Sequence, residues 1–385
     1  MMKHLRRFLL MLGVVSFLGI LTGCSSFNDN HLETPQNDVD SEQSESSGSD
    51  DSTDGEDSDD GNPTTNELTV VASDLDAPWS IQKAGERFYI SERDGAIVTI
   101  IDGEVTRQPV QLEKELAAQS EAGFMGFVLA PDFEDSQEAY AYYTYQGDDG
   151  TYNRIVTIKL TDNEWQETGV LLDNIPSGNL HAGGRLAIGP DDKLYATVGD
   201  IYEEEIAQDK DSLNGKILRL ELDGSIPSDN PFEDSYVYSY GHRNPQGLTW
   251  VSDGTFYASE HGSQANDEIN RIEAGKNYGW PMIEGDETND DMETPIVHSG
   301  SSETWAPSGL ATDDDSLYIA ALRGNAVLKM DLADQTIEPI VSDVGRIRDV
   351  IVDGDYLYFI SNNTDGRGNP SEDDDKLYRI GISGE

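Results

Sequence analysis

Apolar and polar positions alternate in short runs along most of this chain, and each run follows a turn signal built from Asp, Gly or Asn. An apolar–tyrosine pair, read as ending a strand, recurs six times: Phe88-Tyr89, Ala139-Tyr140, Leu194-Tyr195, Phe256-Tyr257, Leu317-Tyr318 and Leu357-Tyr358. Four of the intervals between successive tyrosines run from 51 to 62 residues and the last is 40. That is the length of a four-stranded blade with variable loops. Turns such as Pro190-Asp191-Asp192-Lys193 and Ser252-Asp253-Gly254-Thr255 separate the strands, and long amphipathic helical stretches are scarce. The pattern predicts an all-β fold, a six-bladed β-propeller over residues 67–385. A large sandwich or barrel of alternating strands is the other reading, since tyrosine favours strands generally.

The first 66 residues follow a different pattern. Lys3, Arg6 and Arg7 precede an almost wholly apolar run from Phe8 to Leu21, which ends in Leu21-Thr22-Gly23-Cys24. The run is too short to span a bilayer, which takes about 20 apolar residues. It reads as a lipoprotein signal peptide, residues 1–23, cleaved before a lipid-modified Cys24. Cys24 is the chain's one cysteine, which leaves none for a disulfide or a thiolate metal site. Residues 24–66 are rich in Asp, Glu, Ser, Asn and Gly and contain no Lys or Arg, which predicts a disordered acidic linker. These features predict an extracytoplasmic protein attached to the cell membrane through its lipid.

The net charge is −50, from 25 basic and 75 acidic residues, too negative for a nucleic-acid partner. The loops after the repeated strands differ from one another: Ser91-Glu92-Arg93, Gly199-Asp200, Glu260-His261-Gly262, Leu322-Arg323-Gly324 and Asn362-Asn363. A repeated framework with unlike polar loops is what a shared central site would look like.

Four segments carry a resemblance: His181-Ala182-Gly183-Gly184-Arg185-Leu186, Gly241-His242-Arg243-Asn244-Pro245-Gln246-Gly247-Leu248, Asn277-Tyr278-Gly279-Trp280-Pro281 and Arg346-Ile347-Arg348-Asp349. In order and spacing, from about Leu68 to Ile382, the chain resembles the glucose/sorbosone dehydrogenases, aldose dehydrogenases that use pyrroloquinoline quinone (PQQ) and Ca²⁺. The resemblance implies that His181 is the general base, an imidazole being suited to accept a proton at neutral pH, with its glycines allowing close approach of substrate and cofactor. His242, His261 and His298 are the rival histidines. Arg243 and Asn244 are implied over the quinone, and Arg323, Arg346 and Arg348 on the cofactor's carboxylates, a task suited to guanidinium groups. The other reading of Arg346 and Arg348 is an exposed strand face.

The resemblance further implies Ca²⁺ on the cofactor through the carbonyls of Gly262 and Ser263, and a second, structural Ca²⁺ at Glu268 and the carbonyl of Tyr278, oxygen ligands being what calcium prefers. Two positions depart from the family pattern. Glu121 stands where a glutamine is usual near cofactor and sugar, and a carboxylate there repels PQQ unless protonated or facing calcium or an arginine. Leu180 replaces an aspartate beside the base. The implied activity is oxidation of an aldose sugar at C1 to its lactone, with electrons passed to an external or membrane acceptor. A non-catalytic glycan- or protein-binding propeller and a calcium-dependent propeller lactonase are the alternatives.

Overall fold

The computed structural model describes residues 67–382. The leader 1–23, Cys24 and the linker 24–66 lie outside the described residues. Within residues 67–382 the chain forms antiparallel meanders of four strands. Three stand as separate sheets: Leu186–Ile188, Leu194–Val198, Lys216–Leu220 and Val237–Tyr240; Pro245–Trp250, Phe256–Glu260, Glu268–Ile272 and Val297–His298; Pro307–Thr312, Ser316–Ala321, Ala326–Asp331 and Ile337–Val341. Two more meanders, Pro78–Ala84 to Glu104–Gln111 and Phe124–Leu129 to Glu164–Pro176, share an eight-stranded sheet. They join through a short parallel contact, Val110 with Trp165 and Gln111 with Gln166. The last sheet closes the series by pairing Thr69–Ala72 with Leu377–Gly381, beside Tyr356–Ser361 and Ile347–Asp353.

All six apolar–tyrosine pairs fall in the second strand of a meander. They stand at the start of these strands rather than at their end, because the turn delivers the chain directly into the ladder. The second strands are buried on both faces, as in Leu194–Val198 and Leu317 to Ala321, since a neighbouring sheet packs on each side. The outermost strands alternate instead: Glu104–Gln111 buries only Gln108 and Val110 fully. Apolar clusters fill the spaces between successive sheets; one gathers Tyr195, Ile217, Leu248, Phe256 and Tyr278. Among the described residues no helix is long and apolar enough to cross a membrane.

The first strands of the meanders converge on one guanidinium. Arg185 donates through Nε to the Gln246 carbonyl (2.8 Å), through Nη1 to Ser80 Oγ (3.2 Å), and through Nη2 to Ser308 Oγ (3.4 Å). Its Nη1 also lies 2.9 Å from Asp349 Oδ2, and the group stacks 4.3 Å from the centre of the Trp79 ring. Asp349 in turn accepts the Ile81 N–H at 2.8 Å. Burial pushes the Asp349 carboxyl up, against the pull of Arg185. Four first strands are thereby tied to one buried ion pair, whose arginine stands immediately before the first strand of a fifth meander.

Candidate active site

His181 follows the second meander in a left-handed backbone conformation, φ +56°. The strand Leu194–Val198 ends against it, and Gly199 makes this approach possible: a Cβ there would sit 2.0 Å from the His181 carbonyl oxygen. Gly183, at φ +66°, likewise has no room for a Cβ beside the Thr197 carbonyl, 2.6 Å away. Both glycines therefore serve the packing of the chain on itself; of the two, Gly183 is one the sequence had suggested as room for substrate and cofactor.

The imidazole of His181 is buried and oriented. Its Nδ1 lies 2.6 Å from Asp200 Oδ1, and Asp200 Oδ2 accepts the indole N–H of Trp280 at 2.8 Å. Asp200 Oδ1 also accepts the Tyr202 N–H at 3.0 Å, and the Asp200 N–H donates to the Arg243 carbonyl at 2.8 Å. With no donor of its own, a carboxylate at Nδ1 fixes the proton on that nitrogen and leaves Nε2 as the acceptor. The ring of Tyr202 covers the imidazole at a centroid distance of 4.1 Å.

The rival histidines are arranged differently. Both ring nitrogens of His242 are occupied, by Ser239 Oγ and Glu260 Oε2 at 2.8 Å each. Those of His298 are taken by Asp286 and the Gly300 N–H. His261 has a buried Nε2 without a partner. Burial, joined by Arg243 and Arg348 and opposed by Asp267 and Glu121, pushes its pKa down to about 4, which makes it a weak proton acceptor.

Beside this group lies a cavity of about 200 Å³ lined by Glu121, Arg243, His261, Arg323, Arg346 and Arg367, among others. A second hollow of about 410 Å³ shares Arg323, Arg346 and Arg367 and adds Asn325, Asn363 and Asn369. In a chain with three times as many acids as bases, this gathering of arginines is a built anion site. Arg243 Nε, Arg346 Nε and Asn244 Nδ2 are buried donors without partners, and such groups are costly unless a ligand completes them. Arg346 donates its Nη2 to Asp365 at 2.9 Å, and Arg323 is exposed at the rim.

Arg346 and Arg348 are both buried, which excludes an exposed strand face. They differ in commitment. Arg348 bonds Gln246 Oε1 at 2.9 Å and Asn362 Oδ1 at 3.0 and 3.2 Å, and does not line either hollow. Burial, with Arg346 and Arg185 adding to it and Asp365 opposing, pushes its pKa down to about 9. Asn244 accepts the Gly183 N–H through Oδ1 at 3.2 Å.

Glu121 is paired rather than isolated: Oε1 accepts Arg367 Nη1 at 2.7 Å and Oε2 accepts the His181 N–H at 2.8 Å. Burial works against ionisation, yet Arg367, His261 and that N–H together hold its carboxyl below the usual range. Asp200, Trp280, Tyr202 and Arg367 were not assigned roles from sequence. Two of them carried a signal: Asp200 in one of the unlike loops after the repeated strands, and Trp280 in the Asn277-Tyr278-Gly279-Trp280-Pro281 segment.

The residues implied for calcium lie on neighbouring loops. Gly262 donates its N–H to Asp267 at 2.9 Å, and Ser263 is held through N–H and Oγ by Glu284. The Glu268 carboxylate is buried with two neutral donors, the Gly285 N–H at 2.9 Å and Asn270 Nδ2 at 3.1 Å. Burial, reinforced by nearby Glu260, pushes its pKa up to about 8. Tyr278 is buried, its hydroxyl donating to the Arg271 carbonyl at 2.7 Å. No group of three or more His, Cys, Asp or Glu side chains is arranged for a metal among the described residues, so a calcium ion on these loops would draw on main-chain oxygens.

Comparison with known proteins agrees with this arrangement. The family model described as Glucose / Sorbosone dehydrogenase matches residues 75–378. Aldose sugar dehydrogenase YliI of Escherichia coli is 30% identical over 350 residues, covering 79% of this chain and 92% of that protein. Quinoprotein glucose dehydrogenase B of Acinetobacter calcoaceticus is 37% identical over 258 residues, 56% of this chain and 52% of its own length. The PQQ-bound structure of an aldose sugar dehydrogenase from Streptomyces coelicolor matches with a TM-score of 0.77 and 33% identity, covering 83% of this chain and 99% of that one. The propeller-type all-β fold, the arginine-lined cavity and these matches agree: the chain belongs to the PQQ-dependent glucose/sorbosone dehydrogenase family and is an oxidoreductase.

Proposed function

We propose that this protein oxidises an aldose at C1 to its lactone, using PQQ and Ca²⁺, on a propeller of six blades obtained by counting the eight-stranded sheet as two. The observation that carries the reading is a buried histidine whose Nδ1 is fixed by Asp200 and whose main-chain N–H is held by Glu121, a residue that lines a cavity with unpartnered arginine donors. PQQ, when bound, would supply the two-electron acceptor that oxidation of C1 requires. His181 takes the proton of the C1 hydroxyl on Nε2. Asp200 stabilises the resulting imidazolium and, with Tyr202, keeps its ring in place. Arg243, Asn244, Arg323 and Arg346 would hold the cofactor through their open donors, and Arg243 would draw developing negative charge toward itself. Arg348, already engaged by Gln246 and Asn362, supplies its charge from the second row.

Gly262 and Ser263 would hold the cofactor's calcium through carbonyls, and Glu268 with the Tyr278 carbonyl a structural one. Leu180, half-buried before the base, offers a substrate no polar contact, so the sugar's hydroxyls must be recognised by other groups. We also propose export, with lipid on Cys24 keeping the enzyme near membrane electron acceptors. The test is to titrate the full chain with PQQ and Ca²⁺, follow the quinone absorbance, then add aldoses and a redox dye. A shifted spectrum with sugar-dependent dye reduction supports the reading. No spectral change at saturating PQQ overturns it in favour of a binding propeller, and lactone hydrolysis without PQQ in favour of a lactonase.

A further inference from the structure

A carboxylate at position 121 is out of place in a cavity built to hold an anion, yet its two oxygens are both used. Oε2 holds the main-chain N–H of His181 at 2.8 Å, the residue whose φ of +56° needs an anchor. Oε1 holds Arg367, which comes from a loop 246 residues away. Arg367 also reaches Ser120 Oγ through Nη2 at 3.3 Å, and its N–H donates to Asp365 Oδ1 at 2.9 Å. The other oxygen of Asp365 carries Arg346. Arg93 ties the same two loops from its own side, donating to the Ser120 and Asp365 carbonyls at 2.6 and 3.2 Å. Base, carboxylate and cavity arginines thus form one connected chain.

We propose that Glu121 is a positioning residue for the base and that Arg367 is its dedicated charge partner, which lets the site keep a carboxylate where an anionic cofactor binds. Arg367 favours the cofactor by cancelling Glu121, not by gripping the cofactor itself. The inference rests on the PQQ reading for its cofactor arm. In direct titration, Arg367→Met weakens PQQ binding about tenfold or more, because an unpaired carboxylate then faces the anion. In a Glu121→Gln background the same change costs less than about threefold, since nothing remains to cancel. Glu121→Leu lowers turnover while PQQ affinity holds or rises, and Glu121→Gln, which still accepts the His181 N–H, restores most of that turnover. An equal loss of PQQ affinity in both backgrounds overturns the proposal, as does full turnover in Glu121→Leu.

A cofactor-free arm separates failure of this proposal from failure of the PQQ reading. In the full chain labelled with ¹⁵N-histidine, the His181 amide resonance follows the ionisation of Glu121. The charged or titratable groups facing that carboxylate are Arg367, His261 and, farther off, Arg348. The midpoint lies below the ordinary carboxylate value in the native protein, rises in Arg367→Met and disappears in Glu121→Gln. A midpoint unmoved by Arg367→Met overturns the pairing whether or not PQQ binds.

Discussion

Among the buried arginines of this protein, Arg185 on one side and Arg243 with Arg346 on the other are used in opposite ways. Arg185 has a partner for every nitrogen and a counter-charge in Asp349, and from just before its own meander it ties the first strands of four others together. Arg243 and Arg346 are as deeply buried, but each keeps an Nε–H with nothing to bond. Burial alone therefore does not distinguish scaffold from site. Nor does an unfinished hydrogen bond by itself, since Arg154 has Nε and Nη1 unpaired yet lines neither hollow; an open cationic donor on a residue that lines a cavity does, because there a ligand can return the lost stability.

The comparison is sharpest at its extremes. His181→Ala removes the proton acceptor from the open set, so turnover falls about 10³-fold, while PQQ titration and the melting temperature stay near their native values. Equal turnover would assign the base elsewhere, with His261 next in line. Arg185→Met acts on the closed set: it strands Asp349 without its partner and costs about 3–5 kcal/mol by denaturant unfolding. Adding Asp349→Leu should recover much of this, because paired charges replaced together by apolar groups are often neutral. Arg243→Met, which takes no partner from a carboxylate, is the mirror experiment. It loses roughly 1.5–3 kcal/mol of PQQ affinity, the worth of a charged hydrogen bond, and a stability loss as large as that of Arg185→Met would erase the distinction drawn here.

The smallest effect is pH-dependent. Glu121 has its folded pKa held below the unfolded value, so between the two values the unfolded chain binds more protons and stability rises with pH. Its contribution is present above the ordinary carboxylate range and is lost as pH falls through the folded value. Subtracting the acid melting curve of Glu121→Gln from that of the native protein should isolate this component. A difference that does not shrink on acidification would mean the pair contributes no charge-dependent stability.

The fold was legible because its signal is local and repeated: each turn and apolar–tyrosine pair lies within a few residues, and six copies reinforce one another. Arg243 and Arg346 were legible through motifs, and the structure adds that they are open where Arg348 is not. The partners that orient His181 were harder to read, because Asp200 lies 19 residues from it and Trp280 a further 80 from Asp200. Arg367 is 246 residues from Glu121. Nothing within a local window announces such pairs; they exist only once the sheets are arranged around the converging first strands. Glu121 shows the same limit. Its charge reads as a misfit in the sequence and becomes intelligible only with its distant arginine in place.

The closing sheet sets an order of events during synthesis. Thr69–Ala72 is among the first segments of the domain to be made, and its partner Leu377–Gly381 is among the last. Earlier meanders can form as they emerge, but the ring has no closure until residues near 380 have left the ribosome. Arg346 and Arg367 belong to that final stretch, so the anion site and the pairing of Glu121 come into being together at the end of translation. A chain that we propose is exported thus carries an unclosed ring, and no finished binding site, for almost the whole time it is being built.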